Sequence, residues 1–304
     1  MKIRSKIYTE CSEWVQKCGS VLTVIGYAGN NNYLVQFDNS PIFTAQPKEI
    51  RAGNVKNKNK PSLFNIGFCG FGEYKVTIGS RPNGSSINSP AYEVWRGILR
   101  RCYDPAWKQY HTYGGSGVHV DKDWHNFQNF AKWYYTELDK MPKSLDTTFD
   151  VDKDLKGGKC YSEDNCILVP YKLNNFLQNM NYSSGMGYIK KCKKNPYNKI
   201  TTTVSLLGKQ VYIGLFSNQE EVDKSYNIAK NYVNRKVASE YKKLVLITED
   251  TENLIIKKRN DYTLEDEDFL FRTHPTLKAR IDGLFVKPEN LLQRCKHKLS
   301  SEIY

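Results

Sequence analysis

The stretch from Lys199 to Phe216 constrains this chain more than any other. Ile200, Thr202, Val204 and Leu206 share one face of an extended segment, and Val211, Ile213 and Leu215 share one face of the next. A period of two is that of a β-strand. The opposite faces carry Lys199, Thr201, Thr203, Ser205, Gln210 and Tyr212. Such alternation predicts an antiparallel sheet with one face buried and the other open and polar. A further strand is expected at Met186–Lys191. Ser217, with Glu220 three residues on, reads as a capping box that opens a helix running to about Tyr241. Val222, Tyr226, Ala229 and Val233 fall on one side of that helix and would cover the apolar sheet face.

Charge gives this segment its functional reading. Tyr182–Val245 holds 12 basic and 4 acidic residues, a net +8 out of +13 for the 304-residue chain. Lys190, Lys191, Lys193 and Lys194 cluster on the first strand and its turn. A sheet that presents lysines, hydroxyls and an aromatic suits a nucleic-acid groove, with the lysines on phosphates. Tyr188, Lys190, Lys199, Thr201, Thr203 and Tyr212 are the expected groove residues; on charge alone DNA, RNA and anionic membrane all qualify as the polyanion. No run of about 18 apolar residues occurs, and no apolar stretch follows the basic Met1–Glu10. The expectation is therefore a cytoplasmic protein with no membrane partner. The eight cysteines include no C-x-x-C pair and are expected as reduced thiols. A zinc site from Cys160, Cys166 and His119 or His125 is the alternative use.

The rest of the chain divides by pattern into three more regions, giving an α+β class overall. Residues 1–60 read as a small β barrel: strands Val21–Ile25 and Tyr33–Phe37 about a Gly29–Asn32 turn, then strands near Ile42–Thr44 and Pro47–Ile50. Residues 61–180 form a central module. Its glycines at Gly67, Gly70 and Gly72 suit a tight backbone crossing, and Gly79–Ser89 reads as a loop. Pro90 starts a helix in which Tyr92, Trp95, Leu99 and Cys102 recur at helical spacing, with Arg96 and Arg100 on another face. A second helix is expected over Asp123–Leu138. Residues 181–245 are the basic sheet unit, and 246–304 form an extension with acidic Glu265–Asp268, basic Leu291–Lys298 and no assignable chemistry.

Several strings carry a resemblance. They are Tyr92–Trp95 (YEVW), Arg101–Tyr103 (RCY), Trp124–Phe130 (WHNFQNF), Val151–Asp154 (VDKD), Tyr161–Asn165 (YSEDN) and Val169–Pro170, together with Gly187–Ile189 and Ile213–Phe216 (IGLF). Together they resemble phage-encoded proteins, akin to homing endonucleases, that join an HNH-like module to an AP2-type DNA-binding domain. The first region resembles an SH3-like barrel. The resemblance spans roughly residues 15–245. It implies a bacterial host cytoplasm as the setting and a degenerate HNH module at 61–180.

An HNH site holds one divalent ion, usually Mg²⁺, on a carboxylate and an asparagine, with a histidine as base. The resemblance places Asp152 on the metal carboxylate, Lys153 where the histidine belongs, and Asn165 or Asn174 at the asparagine; Asp152 and Asn174 would be the metal ligands. Lysine would need its pKa lowered by about three units, at roughly 4 kcal/mol, to act as base near neutrality, and Asp152 and Asp154 push the other way. The expectation is a DNA-binding protein whose nuclease module is inactive and needs no cofactor; Mg²⁺ enters only if cleavage survives. Arg96, Arg100 and Arg101 would add backbone contacts. The rival readings are an active HNH endonuclease and an adaptor that docks on a host or phage machine, such as polymerase or ribosome, through the barrel or the tail.

Overall fold

The computed structural model describes residues 11–141, 148–181, 190–191, 200–206, 208–257 and 262–285. In chain order the elements are β1 (Ser12–Val15), β2 (Val21–Gly29), β3 (Asn32–Phe37), β4 (Phe43–Ala45), α1 (Pro47–Arg51), β5 (Thr77–Ser80), β6 (Ser86–Asn88), α2 (Pro90–Tyr103), β7 (His119–Val120), α3 (Phe127–Asp139), β8 (Phe149–Asp152), β9 (Cys160–Tyr161) and β10 (Ile167–Pro170). Then follow α4 (Tyr171–Asn181), β11 (Lys190–Lys191), β12 (Ile200–Leu206), β13 (Lys209–Phe216), α5 (Gln219–Lys243), α6 (Glu249–Lys257), α7 (Leu264–Thr273) and α8 (Pro275–Asp282). The class is α+β, with several small sheets. Two compact units result: Met1–Tyr135 with Lys159–Ser162, and Thr136–Gly158 with Glu163–Tyr304.

In the first unit, β1 to β4 form an antiparallel meander in the order β1-β2-β3-β4. Leu22, Val24, Val35, Phe37, Ala45, Ile50 and Val55 fill its core. Among the described residues the sheet does not close on itself. The segment expected as a strand at Pro47–Ile50 is instead helical. Pro47 sits in its first turn, where a missing N–H costs nothing, and it buries Pro47 and Ile50 at three-residue spacing. The loop expected over Gly79–Ser89 contains the hairpin β5–β6.

The second core of this unit is aromatic. Trp95, Ile98 and Leu99 of α2 and Phe127 and Phe130 of α3 are completely buried. Ser89 caps α2 by accepting a hydrogen bond from the Tyr92 amide, and Pro90 follows it. The Trp95 indole N–H donates to the Trp124 carbonyl at 2.6 Å, so burial of the ring leaves no unmet donor. The helix expected from Asp123 begins as a 3₁₀ turn over Lys122–His125 and becomes α-helical at Phe127. The glycine-rich crossing is as tight as expected: a Cβ on Gly67 would lie 2.3 Å from Leu99 Cδ1, and one on Gly70 would lie 2.1 Å from Asn126 Oδ1.

In the second unit β8 and β10 pair antiparallel, with Asp152 opposite Ile167 and Asp150 opposite Val169. Helix α4 follows β10 directly and buries Leu173 and Leu177. Strands β11, β12 and β13 form the sheet that the alternation predicts. One feature of it differs. Thr202 pairs with Gly214 but Thr203 pairs with Tyr212, so Ile213 is an extra residue. This bulge shifts the alternation by one. Val211, Ile213 and Phe216 face inward and Leu215, expected in the core, is 48% exposed.

Helix α5 covers the inner face with Val222, Tyr226, Ala229, Val233 and Val237. Its cap lies one residue later than expected. Asn218 Oδ1 accepts from the Glu221 amide at 2.8 Å, and the Glu221 carboxylate takes the Ser217 amide at 2.9 Å. Helices α6 to α8 bury Ile255, Leu270, Leu277 and Ile281 against this unit. No helix among the described residues is long and apolar enough to cross a membrane.

Candidate nucleic-acid interface

The open face of the β12–β13 hairpin carries Thr201, Thr203, Ser205, Gln210, Tyr212 and Leu215. Tyr212 is 39% exposed, and Thr203 Oγ1 donates to Gln210 Oε1 at 2.9 Å across the two strands. This face is therefore neither sealed nor apolar. Lys190 and Lys191 place their backbone opposite Thr201 and Ile200. The positions expected at Tyr188, Lys193, Lys194 and Lys199 lie outside the described residues.

The charge on the other side of the sheet is spent internally. On α5, Lys224 pairs with Asp266 at 3.7 Å, Lys236 with Asp282 at 3.6 Å, and Lys242 with Glu252 at 2.7 Å; Arg235 pairs with the buried Glu267. Lys243 pairs with Glu240 of α5 itself. Four of these five partners belong to the extension. The Glu252 bond lifts the Lys242 ammonium above its usual pKa, and the Thr263 hydrogen bonds, with Lys224 near, hold Asp266 below the usual carboxylate value. Among the described residues, Glu252, Asp266, Glu267 and Asp282 of the extension thus engage the helix behind the sheet and not its hydroxyl face.

In the hook formed by β8, β10 and α4, the residues expected at the metal lie on two elements: Asp152 ends β8 and Asn174 lies on α4. Asp150 and Asp152 are two apart and share a face of β8. Asn174, 5% exposed, donates through Nδ2 to Asp150 Oδ2 at 2.9 Å, while its Oδ1 is buried with no hydrogen-bond partner among the described residues. Asp152 Oδ1 accepts from the Leu155 amide at 2.8 Å and so closes the turn after β8. Lys153 is buried and its ammonium donates to Asp154 at 2.5 Å. Asn165 packs beside Gly158, where a Cβ would come within 2.3 Å of its Nδ2. Asp150 is the carboxylate that Asn174 meets, and sequence reading passed over it; the period of two back from Asp152 was its available signal.

In the first unit the three arginines are differently engaged. Arg96 pairs with Glu93 at 2.9 Å. Arg100 pairs with Asp104 at 3.3 Å and lies 3.9 Å from the Trp107 ring centre. Arg101 stands 5.5 Å from the Tyr113 ring and 6.0 Å from that of Tyr161, with its Nε buried and without a hydrogen-bond partner among the described residues. His125 rests edge-on against Tyr103 and bonds the Val120 carbonyl at 3.1 Å; burial lowers its pKa. His119 is exposed, its Nδ1 3.2 Å from the Gly117 carbonyl. Among the described residues no three His, Cys, Asp or Glu side chains gather as a metal site. Comparison with known protein families, with curated proteins and with solved structures finds no match to this chain.

Proposed function

We propose that this chain binds double-stranded DNA by laying the open face of β12 and β13 into a groove. One observation carries the reading: the hydroxyls of Thr201, Thr203 and Ser205, with Gln210 and Tyr212, stand outward together while Glu252, Asp266, Glu267 and Asp282 of the extension are occupied on α5. Hydroxyl, amide and phenol groups serve base edges and sugar–phosphate alike, and the nearby lysines supply phosphate contacts. In this proposal the three-stranded sheet backed by α5 is AP2-like, the β8–β10–α4 hook is HNH-like and the first meander is SH3-like. The chain is phage-type and works in a bacterial host cytoplasm. Electrophoretic mobility shift on random duplex DNA and on RNA, across a salt series, tests it. Retarded DNA whose affinity falls steeply with salt is expected. A duplex left unshifted at low salt, or binding indifferent to salt, overturns it.

A second reading, metal-dependent DNA cleavage, is favoured by the buried Oδ1 of Asn174 beside Asp150, which has no hydrogen-bond partner among the described residues. An oxygen pair of this kind fits Mg²⁺, which keeps several waters and takes one or two carboxylates together with substrate phosphate. Asp150 and Asn174 would hold the ion, and its chemistry would be polarisation of the scissile phosphate. The position expected of the histidine holds Lys153, bonded to Asp154, so the base is missing from its usual place. Nicking of duplex DNA with Mg²⁺ or Mn²⁺, abolished in Asp150→Asn, is the outcome that favours this second reading.

A further inference from the structure

The C-terminal extension does more than neutralise α5. His274, at the junction of α7 and α8, lies against Gly214, where a Cβ would come 2.3 Å from its Nε2, and its ring centre is 5.4 Å from that of Phe216. This contact sets α8 beside β13. From there Arg280 reaches the strand: Nη1 donates to the Tyr212 carbonyl at 2.8 Å, and the guanidinium lies 5.6 Å from the centre of the Tyr212 ring. Nη2 donates to Thr276 Oγ1, one turn back on α8.

The charge of Arg280 contrasts with the cations behind the sheet. Lys224, Arg235, Lys236, Lys242 and Lys243 each face a carboxylate. Arg280 is exposed and makes no ion pair among the described residues. Its two hydrogen bonds go to neutral oxygens and use two of the five N–H donors of a guanidinium. The remaining donors and the whole charge stand next to an exposed tyrosine on the hydroxyl face. A planar guanidinium that keeps donors beyond these two bonds among the described residues is suited to a phosphate oxygen.

We infer that Arg280 is a phosphate-binding residue of the same interface, so that the extension completes the DNA-binding surface. The inference rests on the duplex-binding reading above. Arg280 would clamp a backbone phosphate at the rim of the groove that Tyr212 and Thr203 enter, and it would orient the sheet along the duplex without choosing a sequence.

Two measurements on the full-length chain test it. The first compares wild type with Arg280→Gln and Arg280→Lys in duplex binding across a salt series, after circular dichroism has established that each variant is folded. One lost phosphate contact lowers the slope of log affinity against log salt by about 0.9, which corresponds to roughly eightfold weaker binding at 0.1 M salt. Arg280→Gln is expected to show that loss, and Arg280→Lys to keep the slope. The second needs no mutation: bound duplex is expected to slow phenylglyoxal modification of Arg280, read by mass spectrometry. Wild-type slope in Arg280→Gln, or equal modification with and without bound duplex, overturns the inference while wild-type binding stands. If wild type itself leaves duplex DNA unshifted, the duplex-binding reading fails and the inference with it.

Discussion

Asn174 on α4 donates its side-chain amide to the Asp150 carboxylate on β8 across 2.9 Å, tying the helix to the strand of the hook. A hydrogen bond to a charged group is worth about 1.5–3 kcal/mol. Asn174→Asp would replace it with two facing carboxylates. Like charge raises the carboxyl pKa in the folded state above its unfolded value. Stability in that variant is retained below the unfolded pKa and lost as pH rises through the folded one. Urea unfolding should place Asn174→Asp well below wild type at pH 7.5, with the gap narrowing at pH 5. An equal gap at both values would remove Asp150 as the ionised partner.

The tyrosine of the open face offers a test free of charge. Tyr212 is 39% exposed and its side chain supports no core, so Tyr212→Ala should fold normally. A neutral hydrogen bond contributes about 0.5–1.5 kcal/mol. Duplex affinity should fall severalfold with the salt slope unchanged, in contrast to the Arg280→Gln result. Unaltered affinity in a folded Tyr212→Ala would move the interface away from this face.

His125 predicts how the first unit responds to acid. Burial lowers its pKa from the ordinary 6.5, and the ring is set against Tyr103 and the Val120 carbonyl. A folded state that disfavours the imidazolium loses stability as pH falls, because the unfolded chain takes the proton more readily. The contribution is complete above the unfolded pKa and declines as pH drops through the folded one. Thermal midpoints should therefore fall between pH 7.5 and 5.5, and His125→Gln should flatten that decline. An undiminished decline in His125→Gln assigns the acid sensitivity to other groups.

Gly70 holds φ at +67°, and the Asn126 side chain fills the place a Cβ would take. Gly70→Ala meets both a disfavoured backbone conformation and a clash, so it should cost about 1–3 kcal/mol in a urea titration. A cost within a few tenths of a kcal/mol would mean that Asn126 moves aside freely.

Much of the fold was legible where local chemistry decides it. Ser89 followed by Pro90 opens α2, and the spacing of Trp95 and Leu99 marks its buried side. The strands β12 and β13 follow from alternation. What local pattern misses is what a partner imposes. The extra residue at Ile213 arises in the pairing with Thr202 and Thr203, so Leu215 reads as core until the register is known. Pro47–Ile50 was expected as a strand, yet its two buried residues are three apart, which is a helical spacing. The hydroxyl face was readable because Thr201, Thr203 and Ser205 alternate along one strand and Gln210 and Tyr212 along the next. Asp150 emerged only when α4 brought Asn174 to it, and Arg280 lies 68 residues from the tyrosine it touches. The basic surplus near α5 was readable as a number, but its neutralisation came from residues up to 46 positions away, as in Lys236 with Asp282.

That neutralisation bears on how the molecule is dissected. A fragment trimmed to the sheet and α5 would look like the natural minimal domain, yet it would carry Lys224, Arg235 and Lys242 stripped of their counter-ions and Lys236 left with Glu240 alone. Such a fragment would cling to any polyanion through its wrong side, and affinities measured on it would describe the cut rather than the protein.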